Sequence, residues 1–279
     1  MIILFPSTVT VYQLYIFILD FLYIFIVPFI ADNTDMPNIC AIDFGVSNFA
    51  AVVCNDGSSM LYKGGAVLSE CQWFHKKRAK AVSIITKGHE HMHASSRYLS
   101  ALSRHHADFI KDQCHKISRI IINYCIEHHA GTLVLGENKR WKQDCDMGSQ
   151  NNQNFVSMPT GLLKQMIIYK ASDAGIKTIM QEESYTSQAD ITAMDYIPVY
   201  GVDAENAVFS GRRISRSLYR CFNGMIINAD CNGAANIMRK AITDAWNSIT
   251  DFSFLASPEV SGFHELNPLS ISVKGIAAA

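Results

Sequence analysis

The apolar run Ile39-Cys40-Ala41-Ile42 breaks off into Asp43-Phe44-Gly45-Val46-Ser47-Asn48, and no other junction restricts the fold as strongly. A short apolar run bounded by a turn reads as a buried strand. This one delivers a carboxylate to its tip, beside a glycine that lets the backbone turn sharply. Such a turn serves an ordinary hairpin, or it holds a metal ion or a phosphate. The segment Ile226-Ile227-Asn228-Ala229-Asp230-Cys231-Asn232-Gly233-Ala234-Ala235-Asn236-Ile237 makes the same passage from apolar residues to an aspartate, here opening a helical pattern. Two carboxylates at element ends, far apart in the chain, suggest one shared site built from Asp43 and Asp230.

Between them the chain alternates strand and helix signals. Residues 39–44 and 49–54 read as strands, and Asn55-Asp56-Gly57 is a hairpin turn into a third at 60–63. Residues 70–130 follow with helical spacing. Thr132-Leu133-Val134-Leu135-Gly136 is a fourth, buried strand, and a polar loop rich in Asn and Gln comes after it. Pro159 and Thr160 begin a helix to about Ala174, with Gly175 as its stop. A fifth strand at 176–180 brings Glu182 and Glu183 to its end. Residues 186–225 are irregular, and Asp230 heads a helix through Ile237, Met238 and Ile242. Beyond 245 the Ser-, Pro- and Gly-bearing chain predicts little order. The expected organisation is a lead segment at 1–37, a catalytic domain at 38–245 with insertions at about 70–130 and about 186–225, and a poorly ordered tail at 246–279.

A net charge of −1 conceals an uneven distribution. Residues 1–60 hold no Lys or Arg, whereas the middle of the chain is basic. Lys76, Lys77, Arg78 and Lys80 cluster, and Arg97, Arg104, Lys111, Lys116 and Arg119 continue the pattern. These side chains form either the solvated face of two long helices or a rail along a nucleic-acid backbone. Six histidines between His89 and His115 show no metal-ligand spacing. The eight cysteines contain no Cys-x-x-Cys pair, which fits buried thiols in a reducing, cytoplasmic setting. Residues 12–30 are almost wholly apolar and aromatic, long enough to cross a bilayer core of roughly 30 Å. Their Phe, Tyr and Ile content is more strand-like than helical, which favours a buried element over a membrane span.

Three antiparallel strands, then helix, strand, helix, strand and helix, is the order of the RNase H-like α/β fold: a mixed sheet flanked by helices, here with a basic helical insertion. Residues 39–240 resemble the RuvC-type nuclease part of the TnpB (OrfB) proteins of insertion sequences, to which the type V CRISPR effector nucleases are related. The resemblance rests on the segments around Asp43 and Asp230 and on Leu135-Gly136-Glu137-Asn138-Lys139-Arg140-Trp141-Lys142-Gln143. Asn151-Asn152-Gln153-Asn154-Phe155, Glu182-Glu183-Ser184-Tyr185-Thr186-Ser187 and Phe209-Ser210-Gly211-Arg212-Arg213-Ile214 add to it. It implies RNA-guided, magnesium-dependent DNA cleavage linked to transposition, with DNA and a guide RNA as partners. Two magnesium ions are expected, with Asp43 bridging both, Asp230 on one and a glutamate on the other. Lys76, Lys77, Arg78, Lys80, Lys139, Arg140, Arg212, Arg213, Arg216 and Arg220 would hold phosphates, and Trp141, Phe155 or Tyr219 would stack on bases.

Three departures qualify that expectation. The family's four-cysteine zinc ribbon would follow Thr186-Ser187-Gln188, where this chain has no cysteine before Cys221, so zinc is not expected. The sizeable amino-terminal region that holds guide and target is replaced by the apolar lead, so the chain reads as truncated. The usual middle glutamate falls on Gly136. Glu137 next to it should point to the opposite face, so Glu182 or Glu183, one strand over and able to reach across Gly136, is the first choice for the catalytic glutamate and Glu137 the second. Three alternatives stand beside the nuclease reading: an exposed strand end at Glu182 and Glu183, a nucleic-acid-binding remnant that no longer cuts, and an actin-like ATPase or kinase fold.

Overall fold

The computed structural model describes residues 36–88, 94–137, 158–199, 201–202 and 207–262. Strands β1 (Asn38–Asp43), β2 (Asn48–Cys54) and β3 (Ser58–Lys63) form an antiparallel meander. The turn from β2 to β3 closes at Gly57, whose φ of 94° is open to glycine at no steric cost. Helices α1 (Gly65–Ile85) and α2 (Arg97–Glu127) follow, then β4 (Ala130–Glu137), α3 (Thr160–Asp173) and β5 (Lys177–Glu182). The β4 strand lies parallel to β1, and β5 parallel to β4. The carboxyl ends of β1, β4 and β5 therefore meet at one edge of the sheet, as the fifth-strand argument required.

Alternation along these strands builds two cores. Cys40, Ile42, Leu133 and Leu135 face α2 and α3, whereas Ala41, Ala51, Val134 and Ile227 face helix α4 (Ala229–Ala241). Strand β2 is buried along its whole length, because both its faces are covered. This is the RNase H-like mixed sheet with helices on both sides. A small antiparallel sheet of β6 (Arg212–Arg213), β7 (Leu218–Arg220) and β8 (Ile226–Asn228) runs directly into α4. It occupies the second half of the stretch expected to be irregular.

The expected boundary at 245 is corrected by the structure. Residues 246–262 are packed: Trp246, Phe252 and Leu255 are buried against the α4 face, and β9 (Glu259–Ser261) extends the sheet parallel to β3. These aromatics sit at irregular spacing among polar residues, so no periodicity announced them; the apolar area they bury is what fixes the segment. Residues 1–35, 138–157 and 263–279 lie outside the described residues. Among the described residues no helix is long and apolar enough to cross a membrane.

Candidate active site

Asp43 ends β1 half-buried, its carboxylate turned to the α4 face of the sheet. A Cβ placed on Gly233 would lie 2.6 Å from Asp43 Oδ2, so a bare backbone at that point of α4 lets the carboxylate lie against the first turns of the helix. Asp230 belongs to the same end of α4. The N-cap is Asn228, whose Oδ1 accepts hydrogen bonds from the backbone N–H groups of Asp230 (3.0 Å) and Cys231 (3.1 Å). Asp230 thus sits one position inside the helix it was expected to head, where the helix dipole favours its charge.

The missing side chain at Gly136 is filled by Glu183. A Cβ at Gly136 would meet Glu183 Oε2 at 2.6 Å and Ile237 Cδ1 at 2.9 Å. Glu183, immediately after β5, thereby occupies the place over the fourth strand's tip. Glu182 turns elsewhere: its carboxylate accepts from Lys240 Nζ (2.7 Å) and from the Ser184 N–H (2.6 Å). Burial raises the Glu182 pKa, but those two partners outweigh it and hold the carboxyl below the usual range. Glu137 shares the strand face of Leu133 and Leu135, towards α2 and α3, as alternation requires. Of the three candidate glutamates, only Glu183 is among the charges that act on Asp43, together with Asp230.

The electrostatics record that convergence. Burial pushes the Asp43 carboxyl well above its ordinary value, and the charges of Glu183 and Asp230 push the same way; Arg213 and Lys164 pull it down. Arg213, on β6, donates to Asp230 Oδ1 at 2.9 Å. Asn48 Nδ2 donates to Asp230 Oδ2 at 2.6 Å, and Lys63 Nζ in turn donates to Asn48 Oδ1 at 2.9 Å. Lys164, on α3, donates to the Gly136 carbonyl and stands 4.8 Å over the Phe44 ring. Burial lowers its pKa, against the opposing pull of Glu183, Glu137 and Asp43.

Asp43, Glu183 and Asp230 are a hard-oxygen donor set suited to magnesium, and Gly136 and Gly233 are the two places where a side chain would block it. They do not close as ligands in this structure. Among the described residues no group of three or more His, Cys, Asp or Glu is placed to hold an ion, and both oxygens of Asp230 are engaged by Asn48 and Arg213.

The remaining expected positions are dispersed. Lys76, Lys77, Arg78 and Lys80 are all exposed on α1, and Arg212, Arg216 and Arg220 are exposed on or beside the small sheet. Tyr219 is corrected: it is buried, its hydroxyl donating to the Gln188 carbonyl at 2.7 Å, so it offers no stacking surface. Lys139, Arg140, Trp141 and Phe155 lie outside the described residues. Sequence reasoning missed Asn48, Lys63, Lys164 and the pairing of Arg213 with Asp230. Gly233 inside a helical pattern was the one available signal, since glycine there costs about 1 kcal/mol relative to Ala unless close approach requires it.

Comparison with known proteins bears on the same segments. Residues 31–142 match the family model OrfB_IS605, described as a probable transposase, and residues 161–237 match the Cas12f1-like TNB domain. The chain is 33% identical over 132 residues to the CRISPR-associated endodeoxyribonuclease Cas12f1 of Sulfoacidibacillus thermotolerans, covering 47% of this chain and 27% of that protein. It is 25% identical over 219 residues to TnpB-like protein ORF457 of Acidianus two-tailed virus, covering 76% of this chain and 43% of that protein. The chain thus spans less than half the length of these relatives. The cryo-EM structure of a Cas12f1–sgRNA–target DNA complex has the same fold, with a TM-score of 0.54 at 16% identity over 75% of this chain and 51% of that chain.

Proposed function

We propose, from the premise that this chain is related to the TnpB and Cas12f proteins, that residues 38–262 form a RuvC-like unit of a transposable-element DNA endonuclease. The observation that carries the reading is Glu183 occupying the space above Gly136, beside Asp43 and Asp230. Three carboxylates from β1, the end of β5 and α4 are held against one another although their charges repel, which costs stability unless a cation is to be bound. Magnesium, when held there, supplies the positive charge that lowers the pKa of a water and offsets the charge developing on a phosphodiester.

The chain's own residues do the remaining work. Arg213 and Lys164 keep positive charge at the carboxylates and oppose the rise of the Asp43 pKa that burial and repulsion cause. Asp230 must exchange its Asn48 and Arg213 partners to take an ion, and Arg213 is then able to meet a phosphate oxygen. The exposed Lys76, Lys77, Arg78 and Lys80 give α1 a sequence-independent hold on a nucleic-acid backbone. DNA and a guide RNA are the partners this reading assigns, in keeping with what the related Cas12f1 complex contains.

A nicking assay with magnesium, with and without Asp43→Asn, tests the reading. Cutting that requires the ion and is lost in the variant supports it; metal-independent cutting, or equal cutting by the variant, refutes it. One observation favours a second reading, a nucleic-acid-binding unit that does not cut: both Asp230 oxygens are taken by protein groups. DNA binding without nicking, unchanged in the Asp43→Asn variant, would establish that alternative.

A further inference from the structure

The segment after Thr186-Ser187-Gln188, where the resemblance places a four-cysteine zinc ribbon, does not fit zinc. Cys221 is the single cysteine between 184 and 225, and burial pushes its thiol up to about 12, away from the thiolate a zinc ion needs. What stands there instead is a pair of buried aspartates whose four oxygens are all in use. Asp190 Oδ1 accepts from the Thr192 N–H (2.9 Å) and hydroxyl (2.7 Å), and its Oδ2 accepts from the Phe222 N–H at 2.6 Å. Asp195 Oδ2 accepts from the N–H groups of Asp190 (2.9 Å) and Ser210 (2.8 Å), and its Oδ1 accepts from the Ser210 hydroxyl at 2.6 Å.

These bonds run from one short turn to a single end of the small sheet, where Arg212 pairs with Arg220: Ser210 lies just before β6, and Phe222 just after β7. The charge is matched from the helix side. Arg239 of α4 donates to the Asp195 carbonyl at 2.6 Å, and the charges of Asp195 and Asp190 support its guanidinium against burial. Asn232 and Asn236 of α4 donate to the Ala189 carbonyl at 2.8 and 2.7 Å. The turn is thus anchored to α4 on one side and to the hairpin on the other.

We propose that Asp190 and Asp195 form a metal-free joint that does here what zinc does in a four-cysteine ribbon. The joint fastens the β6–β7–β8 hairpin to the turn at 190–195 and so holds Arg213 within reach of Asp230. It stands whether or not the chain cuts DNA, so its failure and the failure of the nuclease reading are separable.

The hydrogen-bond chemistry makes the two aspartates unequal under amide replacement. Both oxygens of Asp190 face backbone N–H donors, so Asp190→Asn must turn its own NH₂ onto one of them. In Asp195→Asn the NH₂ can face the Ser210 hydroxyl, which accepts, while the oxygen keeps both backbone donors. The test is metal analysis of the purified full chain, with amide hydrogen exchange measured with and without 1,10-phenanthroline. Zinc should be far below one per chain, and the chelator should leave exchange at Ser210 and Phe222 unchanged. Asp190→Asn should speed exchange roughly tenfold or more at Phe222 or at Thr192, whichever N–H the new NH₂ faces, as the loss of a charge-assisted bond implies, with β1 and β2 amides unmoved and a smaller change in Asp195→Asn. Stoichiometric zinc whose removal opens the hairpin would overturn the proposal, as would Thr192 and Phe222 amides that are both unchanged in Asp190→Asn. Should that variant not fold, the zinc and chelator results still decide, and Asp195→Ala, expected to loosen Ser210, replaces it.

Discussion

The acid cluster at the sheet end and the acid pair under the hairpin use the same chemical group to opposite ends. Asp190 and Asp195 are buried with every oxygen on a fixed N–H or hydroxyl donor, and their charge is matched by Arg239. Asp43 faces Glu183 and Asp230, and its raised pKa records burial and repulsion that Arg213 and Lys164 only partly relieve. A carboxylate saturated by backbone donors holds chain segments together. Carboxylates kept against each other hold electrostatic strain that a divalent ion releases. Buried acids should therefore be sorted by what their oxygens already hold rather than by burial.

The largest expected effect lies in the strained cluster. Glu183→Gln should abolish magnesium-dependent cutting while DNA binding persists, and Glu182→Gln and Glu137→Gln should cut nearly as well as the parent; a nicking assay on the three variants reads the difference. If Glu137→Gln kills cutting and Glu183→Gln spares it, the cluster has been assigned wrongly.

Gly136→Ala sharpens the contrast without altering charge. The added methyl meets Glu183 Oε2 and Ile237 Cδ1, both ends of flexible side chains, and stands 3.2 Å from the Ile42 backbone oxygen. Thermal unfolding should register a cost of about 1–3 kcal/mol, while cutting falls steeply because the carboxylate is displaced. Equal retention of both would mean that the space above Gly136 is not used by Glu183 in catalysis.

Stability should separate the two acid groups by sign. Asp190→Asn is expected to lose about 2 kcal/mol by orphaning a buried donor, whereas Asp43→Asn without metal should unfold at a higher temperature than the parent, because one repelling charge is gone. Denaturation in chelator compares them directly, and a shift in the same direction for both would dissolve the distinction.

The pH dependence follows from the raised Asp43 pKa. Its folded state holds a proton more tightly than the unfolded chain, whose ordinary value is 3.8. This contribution is fully present below 3.8 and is lost as pH rises through the raised folded value. Stability in chelator should fall across that window, and Asp43→Asn should flatten the slope; an unchanged slope would remove Asp43 as its source. The smallest effect concerns the exposed α1 cations. Reversing Lys76, Lys77 and Arg78 should weaken DNA binding uniformly across sequences and lower the salt slope by roughly one for each phosphate that is no longer neutralised; sequence-selective weakening would argue against a backbone rail.

Much of the fold was legible because it depends on local periodicity. Apolar alternation, the Asn55-Asp56-Gly57 turn and the stop at Gly175 act within a few residues; the order of the strands in the sheet was implied only by the resemblance to the RNase H-like fold. The segment 246–262 was not legible, since Trp246, Phe252 and Leu255 acquire meaning only against α4 and β3. The site divided along the same line. Asp43, Asp230, Gly136 and the glutamate pair stand out as residue types at element ends, and strand alternation alone turns Glu137 away. The choice of Glu183 over Glu182 depended on Lys240 drawing the latter aside. The entry of Arg213, Asn48 and Lys164 depended on segments distant in the chain meeting at one sheet edge. Sequence by itself determined the strands β1 to β5, the helix α4 and the carboxylates that end them, because backbone propensity and burial pattern are short-range. Only the tertiary structure decided which of those charges share a site, because Coulomb interaction and hydrogen bonding act through space and are blind to position in the chain.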